Sequence, residues 1–441
     1  MNPTSLIGHV LELSELIEQN TLPADRIANK FFRERKYVGS HDRRFISEAI
    51  FGMLRHRRYI TTLLEHFIAA HPSATELNTS SQRLLSLFII YATLFDHSTP
   101  VPQSFQSYWK TFFPTIDFIL FTQWILEHKS LDSIVTDEAT RLGVKYSFQD
   151  WMVREWRGQI GEDIEVLLQT FNTPAPTTLR VNLLKTTREE CQKRFFAEGI
   201  ETSSTRFSSA GLIAHKRFNL QSSQVFKDGL FEVQDEGSQI VSLVAMPHPG
   251  DVVIDACAGA GGKSLHMAEL MKNEGEIIAI DVEQKRLDEL RVRAKRAGVQ
   301  CVKVFHRDNI LAENLLSKAD LVLVDAPCSG VGTIRRNLGL KWSVTKSLVS
   351  HYCERQRDLL ELNSSFVKVG GRLVYATCSL FQQENEYVIQ AFLAAHSDFV
   401  LWRPTEVVKN LGLELEGDSV KLFPHRHGTD GFFVAIMKRI H

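Results

Sequence analysis

Asp251 to Ser264 reads DVVIDACAGAGGKS, and the rest of the chain is organised around it. Val252, Val253 and Ile254 form a short apolar run with the turn signals of a buried strand at its end. The run stops at Asp255, passes through Gly259, Gly261 and Gly262, and resumes as a helical pattern from Ser264. Glycines there let backbone N–H groups approach a ligand where a Cβ would clash, and the helix behind them adds partial positive charge. A second apolar run, Ile277 to Ile280, ends at Asp281, 22 residues beyond Gly259. Dinucleotide-type folds place a ribose-binding carboxylate at about that distance.

Three ligand classes compete for such a turn, beside the reading of a plain structural turn. A phosphate-binding P-loop needs a glycine where this chain has Cys257. A nicotinamide site needs a third glycine where it has Ser264. S-adenosylmethionine, which has a ribose to hold and no pyrophosphate, fits the acidic strand ends better.

A chain of 441 residues predicts two or three domains, and 44% hydrophobic with 23% charged residues describes an ordinary globular protein. The apolar stretch Leu84 to Phe95 is too short to span a bilayer and reads as a buried helix, so no membrane role is expected. Six cysteines without a C-x-x-C or Cys/His cluster predict neither a disulfide framework nor a metal site, and a reducing cytoplasm is the expected compartment. The net charge of −1 hides two basic runs. Arg26 to Arg58 holds ten Lys/Arg against three acids, and Lys285 to Arg307 holds eight against two. Either run suits a phosphate backbone or a solvated helix face.

Residues 1–140 read as helical throughout, with apolar periodicity near 6–17, 24–34, 43–54, 58–69, 81–95 and 117–126. Residues 141–245 read as a small α+β subdomain. Thr177 to Asn182 is strand-like, and Thr187 with Glu190 forms a capping-box signal for a helix ending at Gly199. Short strand-like runs follow at Glu201 to Phe207, Leu212 to His215 and Leu230 to Val233. From 246 to 441 strands at 252–256, 277–281, 302–305, 320–325 and 371–376 alternate with helices, and Gly431 to Lys438 reads as a last strand. The fold class is α/β, a Rossmann-like sheet with parallel strands and helices on both faces. Its site is expected beyond the carboxyl ends of the strands. Asp308, in the loop after the third strand, is placed to accept from an adenine amino group.

The fourth strand ends Asp325-Ala326-Pro327-Cys328-Ser329-Gly330 and the fifth ends Ala376-Thr377-Cys378-Ser379. A lone cysteine in a strand is usually a small hydrophobe, the reading given to Cys191, Cys301 and Cys353. Two in matching mouth positions predict chemistry. Carbon 5 of cytosine is too weak a nucleophile to take a methyl group from a sulfonium. A thiolate added to carbon 6 makes the ring an enamine that can, and a carboxyl such as Asp325 eases the addition by hydrogen-bonding N3. A free thiol of pKa about 8.5 is only a few per cent thiolate at neutral pH, so the site must favour the thiolate. Amino-group methylation would instead want an Asp/Asn-Pro-Pro-aromatic sequence at the fourth strand, which is absent.

These motifs resemble the RsmB/NOP2/Sun family of RNA (cytosine-5) methyltransferases, most closely bacterial members with a NusB-like helical N-terminal domain. The resemblance runs almost end to end. It covers Arg35-Lys36-Tyr37 through Arg55, Leu179-Arg180-Val181-Asn182, Val233 through Gln239, the two cysteine motifs, and His427-Gly428-Thr429-Asp430-Gly431-Phe432-Phe433. It implies that Cys378 is the nucleophile, that Cys328 assists release of the product, and that Asp325 holds the cytosine near the cofactor. It implies that Cys257, Ala258, Gly259, Ala260, Gly261, Gly262, Lys263, Asp281, Asp308 and Asp325 line the S-adenosylmethionine site. Arg180, Arg335, Arg336 and Lys341 are then expected to meet RNA, and the protein to be a monomer. DNA cytosine methylases use the proline-cysteine position, so Cys328 is the alternative nucleophile. Family members often carry Ala-Ala-Pro-Gly-Gly-Lys-Thr where this chain has Ala258 to Ser264 as AGAGGKS, and losing the proline is expected to loosen the turn. The implied substrate is small-subunit (16S) rRNA. Transfer RNA or large-subunit rRNA is the alternative within the same chemistry. A non-catalytic RNA-binding assembly or antitermination factor is the alternative of another class.

Overall fold

A computed structural model describes residues 1–20, 22–72, 79–96, 103–130, 137–308 and 315–441. The chain divides into two compact units, Met1–Thr173 with Ile334–Ser343, and Pro174–Thr333 with Val344–His441.

The first unit is helical. Pro3–Glu18, Ala24–Glu34, Ser40–Arg55, Arg57–Ala70, Ser80–Leu94 and Phe118–Glu127 lie where the apolar periodicity placed helices. Their apolar faces share one core around Ile7, Leu13, Phe31, Phe67, Ile89 and Phe121. The stretch from Leu84 lies buried within Ser80–Leu94, and no described helix is long and apolar enough to cross a membrane. By contacts the first unit runs on to Thr173. Glu138–Tyr146, Asp150–Ile160 and Ile164–Phe171 belong to it, and there the Phe148, Trp156 and Phe171 rings meet edge-on or tilted.

The second unit holds two sheets. The smaller is antiparallel: β1 (Thr177–Val181), β2 (Thr202–Ser204), β3 (Gly211–Ala214) and β4 (Phe231–Val233), in the order β2-β3-β1-β4. The helix Arg188–Ala197 joins β1 to β2, and the Thr187 side chain caps it by accepting from the Glu190 N–H.

The larger sheet contains β5 (Val252–Asp255), β6 (Glu276–Asp281), β7 (Val302–His306), β8 (Ala319–Asp325), β9 (Val367–Thr377), β10 (Phe399–Trp402), β11 (Val420–Leu422) and β12 (Phe432–Arg439). The order is β10-β12-β9-β8-β5-β6-β7, with β11 also paired to β12. Strands β5 to β9 are parallel, while β12 runs antiparallel to β9, β10 and β11. The sheet is therefore mixed: an antiparallel edge closes what the sequence predicted as parallel. The chain leaves β5 toward β6 on one side and later returns to β8 on the other. That reversal opens a crevice above the ends of β5 and β8, where ligands of such sheets bind.

Candidate functional site

A cleft of about 520 Å3 opens at those ends, within the size range of small-molecule sites. Cys257, Ala258, Gly259, Lys263, Asp281, Asp325, Cys328 and Cys378 all line it, as do Arg286, Arg307, Arg355 and Phe432.

The glycine turn forms one wall. Gly261 sits at φ +83°, and a Cβ on it would lie 2.5 Å from Leu290, so only glycine allows this close approach. Gly259, at φ +54°, meets nothing nearer than Arg286 at 3.8 Å, which leaves room for a ligand beside it. Asp281 ties the turn to its strand, accepting from the Gly259 N–H at 2.8 Å and the Glu283 N–H at 2.8 Å. A carboxylate has further lone pairs, so it can still accept from ribose hydroxyls. Behind the turn, Asp255 is buried and accepts from the Ser264 hydroxyl at 2.6 Å. Burial, with the Asp325 charge nearby, pushes its carboxyl up to about 6 despite that bond. Gly-rich backbone, an acidic strand end and a crevice of this size fit a nucleoside sulfonium such as S-adenosylmethionine.

Two guanidinium groups grip the same turn from behind. Arg180 donates to the Gly262 carbonyl at 2.8 Å, to Glu269 at 2.9 Å, and to Gln234. Arg293 donates to the Ala260 carbonyl at 2.7 Å and is itself paired, with Arg296, to the buried Glu232. The turn without its proline is thus held through its carbonyls.

The opposite wall carries the cysteines. The Sγ atoms of Cys328 and Cys378 lie 3.4 Å apart, each half-buried in the loop after its strand. The contact with Cys378, then burial and the negative charge of Cys378 and Glu384, push the Cys328 thiol well above its ordinary range. Gly332 lets the Cys378 loop pack closely. Its N–H donates to the Cys378 carbonyl at 2.8 Å, and a Cβ there would stand 2.2 Å from the Gly431 carbonyl oxygen. Between the walls Lys263 donates to Asp325 at 2.6 Å. Burial disfavours the Lys263 charge, but Asp325 and the Cys378 sulfur outweigh it and hold the ammonium above its usual range. The remaining cysteines differ. Cys191 and Cys353 are buried, their thiols pushed up by burial to about 12 and about 11, and Cys301 is half-buried against the core.

Several expected residues lie elsewhere. Ala260, Gly261 and Gly262 shape the turn without lining the cleft. Asp308 follows β7, but its side chain is 85% exposed, sits 3.4 Å from His306 and does not line the cleft. Arg180 is 0% exposed, so its expected RNA contact is corrected to an internal one. Lys341 is corrected likewise. It is 0% exposed in the helical unit, where it donates to the Arg55 and Tyr146 carbonyls, each at 3.1 Å, and to Asn172. Arg335 is half-buried and Arg336 exposed on the same segment. Reading the sequence missed Arg355, which only the helix Lys346–Ser364 brings to the cleft, and Arg307, which lay inside the second basic run.

A family model described as "16S rRNA methyltransferase RsmB/F" matches residues 242–438, and one described as "Methyltr_RsmF/B-like, ferredoxin-like domain" matches residues 148–221. The chain is 31% identical to a Synechocystis protein named "Probable ribosomal RNA small subunit methyltransferase B", over 90% of this chain and 91% of that one. It is 28% identical to the human "28S rRNA (cytosine(4447)-C(5))-methyltransferase" over 68% of this chain and 38% of that one. Among solved structures, a "Methyltransferase Homolog Protein" from Pyrococcus horikoshii superposes with a TM-score of 0.60 at 30% identity, covering 69% of this chain and 100% of its own. Similarity sustained over nearly the full length of a relative, together with a cleft that joins a glycine turn to a pair of cysteines, places the chain in the RsmB/NOP2 family of ribosomal RNA methyltransferases.

Proposed function

We propose that the protein transfers a methyl group from S-adenosylmethionine to carbon 5 of a cytosine in small-subunit rRNA through a covalent bond from Cys378 to carbon 6. The observation that carries this reading is the pair of sulfurs 3.4 Å apart, in one cleft with the Lys263–Asp325 pair. Neither amino-group methylation nor simple RNA binding calls for two such thiols. The name of the Synechocystis relative, matched over 91% of its length, supports the small subunit.

The Cys378 thiolate, beside the Lys263 ammonium, bonds to carbon 6. The carbon 5–carbon 6 π pair moves to carbon 5 while N3 takes a proton that Asp325 shares with Lys263. Bound S-adenosylmethionine supplies the methyl group. Loss of the carbon 5 proton to solvent re-forms the double bond, expels the Cys378 sulfur, and returns the N3 proton to Asp325. Cys328, kept as a thiol, donates to the departing sulfur and so favours its release. The target base must leave its stack to reach this depth. Asp281 and the turn from Cys257 to Lys263 would hold the cofactor, and Arg335 and Arg336 remain candidates for RNA contact.

Mass spectrometry of rRNA from a deletion strain tests the assignment. One 5-methylcytosine should vanish from small-subunit rRNA and return with the wild-type gene. Its loss from large-subunit rRNA or tRNA would move the substrate, and no loss from any RNA would favour a non-catalytic RNA-binding role.

A further inference from the structure

Glu384 lies five residues after Ser379 in a polar tract and shows no exposed surface. Its carboxyl stands between the two cysteine loops. One oxygen accepts from the Ser329 backbone N–H at 2.7 Å and from Gln356 at 3.2 Å. The other accepts from the Ser329 hydroxyl and the Ser379 hydroxyl, each at 2.5 Å. Ser329 follows Cys328 and Ser379 follows Cys378, so a single carboxylate grips the residue next to each sulfur. The backbone N–H and the Gln356 amide can only donate to it, and the two hydroxyls, 3.2 Å from each other, each have one proton to give. The carboxyl thereby joins two loops that otherwise share the backbone bond from the Gly332 N–H to the Cys378 carbonyl. Asn385 adds a second hold, accepting from Thr377 at 2.6 Å and donating to the Ser379 carbonyl at 3.0 Å.

We propose that Glu384 is a positioning residue for the reaction: it sets the separation of the Cys328 and Cys378 sulfurs by clamping the serine beside each. The proposal rests on the two-cysteine mechanism above for its catalytic consequence, but the clamp itself can be read without catalysis. Glu384→Gln keeps the side chain's shape while turning one oxygen into an NH2 group that faces donors. With one acceptor oxygen left in place of two, either the Ser329 N–H and Gln356 or the two serine hydroxyls lose their acceptor, and the hold on the loops slackens.

The experiment treats the full-length protein with diamide, which takes up two electrons and two protons as the thiols join, and follows Cys328–Cys378 disulfide formation by peptide mass spectrometry. Methyl transfer is measured in parallel in a single turnover, with the affinity for S-adenosylmethionine as a check on folding. In Glu384→Gln both disulfide closure and methyl transfer should slow roughly tenfold to a hundredfold, the cost of misplacing reacting groups by about 1 Å. Cofactor affinity should stay unchanged, and Glu384→Asp should recover part of both rates. A folded Glu384→Gln protein that closes its disulfide at the wild-type rate would overturn the proposal. So would wild-type thiols that do not close. If Glu384→Gln does not fold, Ser379→Ala removes one of the four donors, and the same two outcomes apply. If the wild type methylates no cytosine, the functional reading fails while the disulfide arm still decides whether Glu384 holds the sulfurs.

Discussion

The two walls of the cleft are held by opposite means. The glycine turn is gripped by cations, Arg180 and Arg293, which donate to its carbonyl oxygens. The cysteine loops are gripped by an anion, Glu384, which accepts from N–H and hydroxyl groups. Each clamp matches what its loop leaves unpaired. Carbonyls that point away from the ligand need donors behind them, and loops rich in serine offer donors that need an acceptor. The glycine wall is thereby held through backbone and the cysteine wall largely through side chains. Damage to the first should appear as lost stability and weaker cofactor binding, damage to the second as slow chemistry.

Arg180→Met should break this contrast most severely. Arg180 and Glu269 are both almost wholly buried and paired at 2.9 Å, so removing one strands the other. Losing one partner of such a pair costs about 3–5 kcal/mol. Denaturant unfolding should show that loss, and the double variant Arg180→Met, Glu269→Leu should recover much of it. Cofactor affinity should fall with the single variant because the Gly262 carbonyl loses its partner.

A smaller effect concerns Asp255, whose folded value of about 6 lies above its ordinary 3.8. The folded state therefore holds the proton more tightly than the unfolded one. The resulting stabilisation is complete below about pH 4 and is lost as pH rises through 6. Asp255→Asn has no such proton to lose. Its stability relative to wild type should rise by up to about 3 kcal/mol between pH 4 and pH 7, read from parallel unfolding curves.

The smallest effects separate a buried basic side chain from an exposed one. Arg336→Ala should lower the salt dependence of RNA binding by about one unit of slope, as expected for one lost phosphate contact. Lys341→Met should leave that slope alone and instead lower the melting temperature of the helical unit, because the acceptors around its amino group lose their donor.

The central sheet was legible because its apolar runs alternate with helical periodicity and three of them stop at an acid, at Asp255, Asp281 and Asp325. Strands β10 and β11, with four and three residues, carry too little pattern to find. Arg180 was misread because β1 is buried along nearly its whole length, so the usual alternation of inward and outward residues is absent. Lys341 sits between Leu340 and Trp342, and only tertiary packing reveals that its amino group is enclosed. Glu384 was passed over for a related reason. QQENE reads as a solvated tract, and its burial comes from Gln356, Ser329 and Ser379, which are distant or unremarkable in sequence.

The most direct test of the account is to incubate the Cys328→Ala protein with cytosine-containing substrate RNA and S-adenosylmethionine, denature it, and map any RNA–protein crosslink by mass spectrometry. The account predicts a stable adduct on Cys378 that disappears when Cys378→Ala is added. An adduct on Cys328 in the Cys378→Ala protein, with none in Cys328→Ala, would contradict it.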